Sequence, residues 1–129
     1  MDSKPRETNT SELSPLAYAV CFKKATEPPF SWQDETGSLK GVFCCVNCEA
    51  VLFDKETKFD SHSGWPSFTS PVQEQVLTYQ QDTTLAVSRV EVCCKNCGAH
   101  MGHVFPDGPL PGGTRYCING VALVFKEKS

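Results

Sequence analysis

The residues with the most chemistry to offer are cysteines, eight of them in a chain of 129. Four fall into two Cys-x-x-Cys pairs, Cys45/Cys48 and Cys94/Cys97, divided by an insert that reads as strands and turns. Paired Cys-x-x-Cys across a sheet-forming insert is the sequence sign of a four-cysteine zinc site. Two intervening residues let a hairpin tip turn both sulfurs toward one ion about 2.3 Å away. Asn47, Asn96 and Gly98 suit such tips, where backbone N–H groups can hydrogen-bond the thiolates. Four protein thiolates leave no open coordination position, so the expected Zn2+, one ion per chain, is structural. Two disulfides, or a redox Cys-x-x-Cys, are the competing readings. A redox pair normally occurs once, at a helix start, and disulfides belong to exported chains. Cys44 or Cys93 could also replace its neighbour as a ligand.

Cys21, Cys44, Cys93 and Cys117 remain. Cys44 and Cys93 adjoin ligands on strands and are expected in the core, where cysteine behaves as a small apolar residue. Cys117 differs because Arg115 and Asn119 lie two positions either side of it, on the same face of a strand. A nearby guanidinium favours the thiolate, the reactive form. His100 and His103 can supply acid/base chemistry, with Asp107 as an orienting partner. Each histidine alone is as well explained as a hydrogen-bonded strand residue. Trp65, between Gly64 and Pro66, is either a core plug or a pocket wall suited to a sulfur-bound methyl.

The elements that must position these residues are short. Ser14-Pro15 reads as N-cap and first turn of a helix through roughly Lys24, with Leu16, Ala19 and Val20 as its apolar face. Pro28-Pro29 then leads into an extended segment. Residues 41–45 and 50–53 form the arms of one cysteine hairpin. Residues 76–79 and 85–92 are β-rich runs around Gln81-Asp82-Thr83, and period-two alternation is clearest over 85–92. A second cysteine hairpin follows, then extended 100–105, a turn at Pro106-Asp107-Gly108, a loop over 109–113, and strands near 115–118 and 121–125. The class is mainly β and antiparallel with a short helical start. Residues 1–13 are polar and are expected to be a disordered tail, and residues 14–129 a single domain.

With 12 Lys+Arg against 15 Asp+Glu and a formal charge of −3, the chain has no basic run. Nucleic acid is not an expected partner, because phosphate contacts need such a patch. No stretch approaches the length of a membrane-spanning helix. Residues 1–14 lack an apolar signal core and carry Asp2, Glu7 and Glu12, so a cytoplasmic protein is expected. A monomer is the expected assembly.

Taken together, Cys45-x-x-Cys48, Gly64-Trp65-Pro66-Ser67-Phe68, the run from Cys94 through Gly98-Ala99-His100-Met101-Gly102-His103-Val104-Phe105, and Arg115-Tyr116-Cys117-Ile118-Asn119 resemble the methionine-R-sulfoxide reductase family. The motifs occur in order from about Leu16 to Phe125. The resemblance implies two antiparallel sheets of about three strands each, with short N-terminal helices. It implies reduction of the R epimer of methionine sulfoxide in oxidised proteins, with thioredoxin or a similar thiol as reductant. By similarity Cys117 attacks the sulfoxide sulfur and becomes a sulfenic acid. His100, His103, Asp107 and Asn119 shape the polar site, Arg115 tunes the thiolate, and Trp65 holds the methyl with Phe105 beside it in the substrate pocket. Many members carry a resolving cysteine just before Gly-Trp-Pro, where this chain has His62-Ser63, so Cys21 is the expected substitute. Gly120 stands where the motif usually has Ser.

Overall fold

Ser14 caps the helix α1 (Pro15–Lys23), its Oγ accepting from the Ala17 N–H at 3.1 Å. Lys24 ends it in the left-handed region at φ 56°, and the Ala25 N–H reaches back to the Ala19 carbonyl. The buried stripe is Ala17, Val20 and Cys21, at i, i+3 and i+4. The expected face is therefore displaced by one residue. Leu16 is exposed, and small Ala17 lets the helix settle on the turn at 120–122 and on β7 (His100–Phe105).

The computed structural model describes residues 13–34, 36–83, 89–109 and 112–127. The expected tail over 1–13 lies outside them up to residue 12, as does the strand expectation over 85–88. The remaining strands are β1 (Gly41–Cys45), β2 (Val51–Asp54), β3 (Lys58–Phe59), β4 (Ser67–Phe68), β5 (Leu77–Asp82), β6 (Arg89–Cys94), β8 (Arg115–Ile118) and β9 (Leu123–Glu127). They form two sheets, β2-β1-β9 and β3-β4-β8-β7-β6-β5, with every pairing antiparallel.

The mainly β, two-sheet class is borne out, with sheets of three and six strands instead of three each. The difference lies partly in β3 and β4, two-residue strands that only their partners define. β5 also runs through Gln81 and Asp82, which pair with Val90 and Arg89. One α-helix occurs among the described residues, and residues 120–122 form a single 3-10 turn before β9.

Three phenylalanines join the sheets. Phe68 of β4 stacks on Phe53 of β2 with centroids 4.3 Å apart, and meets the edge of Phe43 of β1 at 5.4 Å. All three are essentially sealed from solvent, with Met101 and Ile118 beside them. β7 and β8 approach so closely that a Cβ at Gly102 would lie 2.1 Å from the Cys117 carbonyl oxygen. No helix of the described residues is long and apolar enough to cross a membrane.

Candidate active site and metal centre

The two cysteine tips are the same turn built twice. In the first, the Cys45 N–H donates to the Ala50 carbonyl and the Glu49 N–H to the Cys45 carbonyl. In the second, the Cys94 N–H donates to Ala99 and the Gly98 N–H to Cys94. Glu49 and Gly98 occupy equivalent positions and both have positive φ, 66° and 83°. The sulfurs of Cys45, Cys48, Cys94 and Cys97 lie within 4.8 Å of one another. The contacts Cys45–Cys97 and Cys48–Cys94 are both 3.6 Å. Sulfurs about 2.3 Å from a shared tetrahedral ion would stand about 3.8 Å apart, so the quartet fits a closed metal site. Cys44 and Cys93 stand outside it, which resolves the register between neighbours.

Cys93 instead joins a buried polar group on the other face. It donates to Glu91 Oε2 at 3.4 Å, His100 Nδ1 lies 2.7 Å from the same oxygen, and Lys24 Nζ reaches Oε1 at 3.2 Å. Burial opposes ionisation of Glu91, but these hydrogen bonds outweigh it and hold the carboxyl below its usual range. Burial pushes His100 toward the neutral ring, against the pull of Glu91. A neutral imidazole beside a carboxylate must donate, so Nδ1 carries the proton.

His100 and His103 are three positions apart, which in a regular strand would place them on opposite faces. A bulge restores them to one. Val92 pairs with Gly102 but Cys93 with His100, so Met101 is the extra residue on β7. The imidazole centroids consequently lie 5.5 Å apart, edge to face. His103 in turn sits directly opposite Cys117 across β7–β8, and Cys117 opposite Ser67 of β4.

Cys117 opens into a cavity of about 280 Å³ whose walls include His103, Phe105, Arg115, Asn119 and Trp65. The indole Nε1 donates to the Glu27 carbonyl at 2.9 Å, and Ser63 Oγ lies 3.9 Å from the Cys117 sulfur. Arg115 stacks over Phe105 at 4.5 Å and is gripped by both oxygens of Asp107, at 2.9 and 3.2 Å. Burial pushes the Cys117 thiol above its ordinary value, while Ser63 and the Arg115 guanidinium pull it down without prevailing. Arg115 acts in the expected direction, but desolvation is larger.

The cavity gathers Cys117, His103, Arg115, Asn119, Trp65 and Phe105. His100 stands behind His103, lining a neighbouring recess that His103 and Arg89 share. Asp107 holds Arg115 and orients neither histidine. His103 Nε2 instead lies 2.8 Å from Asp82, which Arg89 also binds at 3.1 Å, and Glu91 serves His100. Sequence reasoning missed Asp82, Glu91 and Arg89, whose signal was cross-strand register. It also missed Glu27, a buried carboxylate that accepts from the Val121 N–H, while its own N–H donates to Asn119. Cys21 is not on the cavity wall. It is buried in the core, its thiol pushed up to about 12 by desolvation and then by Cys97 and Cys48.

Gly120 acquires a reason here. A Cβ at that position would fall 2.1 Å from the Trp32 indole, so the absence of a side chain makes room for Trp32.

A β protein whose sheets meet at a four-cysteine knuckle, with a histidine-faced cysteine in a cavity, is a defined class. The family profile described as the SelR domain matches residues 13–127. A protein named peptide methionine sulfoxide reductase MsrB from Bradyrhizobium diazoefficiens is 48% identical over 125 residues, covering 97% of this chain and 90% of that protein. Its namesake from Thioalkalivibrio sulfidiphilus is 50% identical over 120 residues, covering 93% and 88%. That of Shigella dysenteriae is 44% identical over 128 residues, covering 98% and 93%. The chain belongs to the SelR-domain family.

The balance at Cys117 has a measurable sign. The thiolate is the nucleophile, and a thiol raised above its ordinary value ionises late. Alkylation of Cys117 by iodoacetamide, followed by mass spectrometry, should accelerate with pH through neutrality and keep rising beyond the ordinary thiol range. Arg115→Met should move that curve further to alkaline pH. A curve unchanged by the substitution would remove the guanidinium from the account.

Proposed function

We propose that the protein reduces the R epimer of methionine sulfoxide in oxidised proteins, with residues 14–129 as one catalytic unit. The observation carrying this reading is Cys117 opposite His103, in a cavity walled by the fixed Trp65 indole and Phe105. The substrate methyl packs on Trp65, because polarised methyls and sulfur suit an aromatic face. The sulfoxide oxygen points toward His103. Burial keeps the resting Cys117 protonated, so His103 takes that proton as the sulfur attacks and passes it to the departing oxygen.

The oxygen is transferred from substrate sulfur to Cys117 sulfur. The substrate gains two electrons and leaves as methionine, and Cys117 loses two and becomes a sulfenic acid. Asp82 orients His103, and Glu91 fixes His100 as a rigid backing. Asp107 and Phe105 hold Arg115 beside the nucleophile. Asn119 ties Glu27 to β7, accepting from the Glu27 N–H at 2.9 Å and donating to the Met101 carbonyl at 3.0 Å.

Reduction of the separated R and S epimers of a blocked methionine sulfoxide by a dithiol tests the reading. Turnover of R alone is expected, because fixing methyl and oxygen fixes the chirality at sulfur. Cys117→Ser should lose essentially all turnover while staying folded, since a hydroxyl is a far weaker nucleophile at neutral pH. Equal rates on both epimers, or an active Cys117→Ser variant, would overturn it.

The four-cysteine site is best suited to Zn2+, because a closed tetrahedral thiolate set matches that ion. The ion would keep four crowded sulfurs ionised in the core and contribute folding energy outright. Thiolates kept for a metal suit a reducing compartment, which supports a cytoplasmic location. About one zinc per chain is expected by elemental analysis, with Cys97→Ser losing both metal and fold. A metal-free protein of undiminished stability would exclude the site.

Regeneration falls to an external dithiol such as thioredoxin, attacking Cys117 itself. One thiol displaces water from the sulfenic acid to form a mixed disulfide, and the second releases Cys117. Two facts support this over the Cys21 route. Ser63, not a cysteine, is the near neighbour at 3.9 Å, and Cys21 is locked into α1 against the core. Cys21→Ala should therefore recycle with thioredoxin at the parent rate. Single-turnover methionine release with failed recycling, and a Cys21–Cys117 disulfide in the parent, would restore Cys21 as the resolving thiol.

A further inference from the structure

Beside the cavity lies a second recess of about 410 Å³, and Trp65 belongs to both. Its other apolar walls are Phe30, Trp32 and Pro66. Lys58 sits at its rim, paired with Asp34 at 3.1 Å and 5.8 Å above the Trp32 ring. The catalytic residues described above do not use it.

Its construction is specific. Phe30 is 72% exposed, yet it is held at φ 63°, a region that bulky residues rarely occupy. The Phe30 N–H donates to the Gly64 carbonyl at 2.7 Å, and Gly64 itself stands at φ 92°. A Cβ at Gly64 would fall 2.7 Å from Pro29 and 2.9 Å from the Phe30 nitrogen, so the segment bearing Phe30 lies flat on the Gly64-Trp65 loop. Trp32, in turn, occupies space left by Gly120. A strained backbone that presents a large aromatic ring to solvent, next to a reaction cavity, is the kind of feature that a ligand explains.

We propose that this recess binds an apolar side chain of the polypeptide substrate, within two residues of the oxidised methionine. The inference rests on the sulfoxide-reductase reading and names what that site selects. The argument is continuity. One indole bounds both recesses, so their occupants are separated by little more than a ring. Residues two apart in an extended chain place their side chains on one side, about 6.6 Å apart, which suits such a pair of neighbouring sites. The lining favours leucine or an aromatic residue. Glycine would leave it empty, and aspartate would meet Asp34 and Asp60 at its rim, where Lys58 is already paired with Asp34.

Short blocked peptides containing methionine-R-sulfoxide, with Leu, Phe, Gly or Asp placed one or two residues to either side, provide the test. The blocked amino-acid sulfoxide serves as control. The parent protein should show kcat/KM about tenfold higher for the best Leu or Phe peptide than for its Gly counterpart, mainly through KM. Phe30→Ala should erase that preference and leave the blocked amino acid unaffected, and Phe30→Trp should retain it. Thermal melting checks that both variants fold. A parent indifferent to flanking residues overturns the proposal. So does a Phe30→Ala variant that slows peptide and amino acid equally, since Phe30 would then merely support Trp65. Failure of the parent to reduce the blocked amino acid would instead sink the underlying functional reading.

Discussion

Four sulfurs packed within 4.8 Å of one another, two from each sheet, tie the fold together. Ionised, they repel one another in an apolar surrounding, so the arrangement demands a cation or shared protons. Cys45 and Cys48 come from the β1–β2 turn, and Cys94 and Cys97 from β6–β7. Fixing these tips fixes the ends of the hairpins from which the rest is measured. Three residues beyond Cys97 the chain reaches His100, and the bulge at Met101 then sets the face of His103. His103 aligns with Cys117 across β8, and Cys117 with Ser67 across β4. The cavity is thus a consequence of register, and register begins at the knuckles.

A second constraint is the conflict between burial and reactivity. The recess that shields Cys117 also raises its thiol, and the surrounding groups limit that cost without cancelling it. Arg115 is useful only if held, and Asp107 and Phe105 fix it from two sides. The same pattern recurs one layer back, where Glu91 and Asp82 each engage one imidazole. Six charged groups, Lys24, Asp82, Arg89, Glu91, Asp107 and Arg115, are thereby arranged around the proposed nucleophile.

Local chemistry was legible in the sequence. Paired Cys-x-x-Cys pointed to the sulfur quartet, and Arg115-x-Cys117-x-Asn119 put three residues on one face because strand periodicity is two. The hairpin arms around both tips were likewise visible. What escaped was non-local. Nothing near His100 announces that Met101 bulges, and Asp82 carries no mark of its pairing with a residue 21 positions away. Asp107 looked like a partner for histidine because it is near in sequence, yet Arg115 across the turn is nearer in space. Cys21 was the expected substitute because residues 62–63 hold no cysteine, but the stripe that packs inward is 17/20/21 instead of 16/19/20, and it takes Cys21 with it. Strands β3 and β4, two residues each, have no periodicity to read.

Gly120, Trp32 and Trp65 together have an optical consequence. The chain contains two tryptophans, and both line the recess beside Cys117. Trp65 has its Nε1 bonded to a carbonyl, while Trp32 has an ammonium over its ring. Their surroundings differ accordingly in hydrogen bonding and in charge, and no indole elsewhere dilutes their signal. Intrinsic fluorescence of this protein is therefore a native reporter of one surface, where occupancy and the oxidation state of a nearby sulfur alter the light emitted.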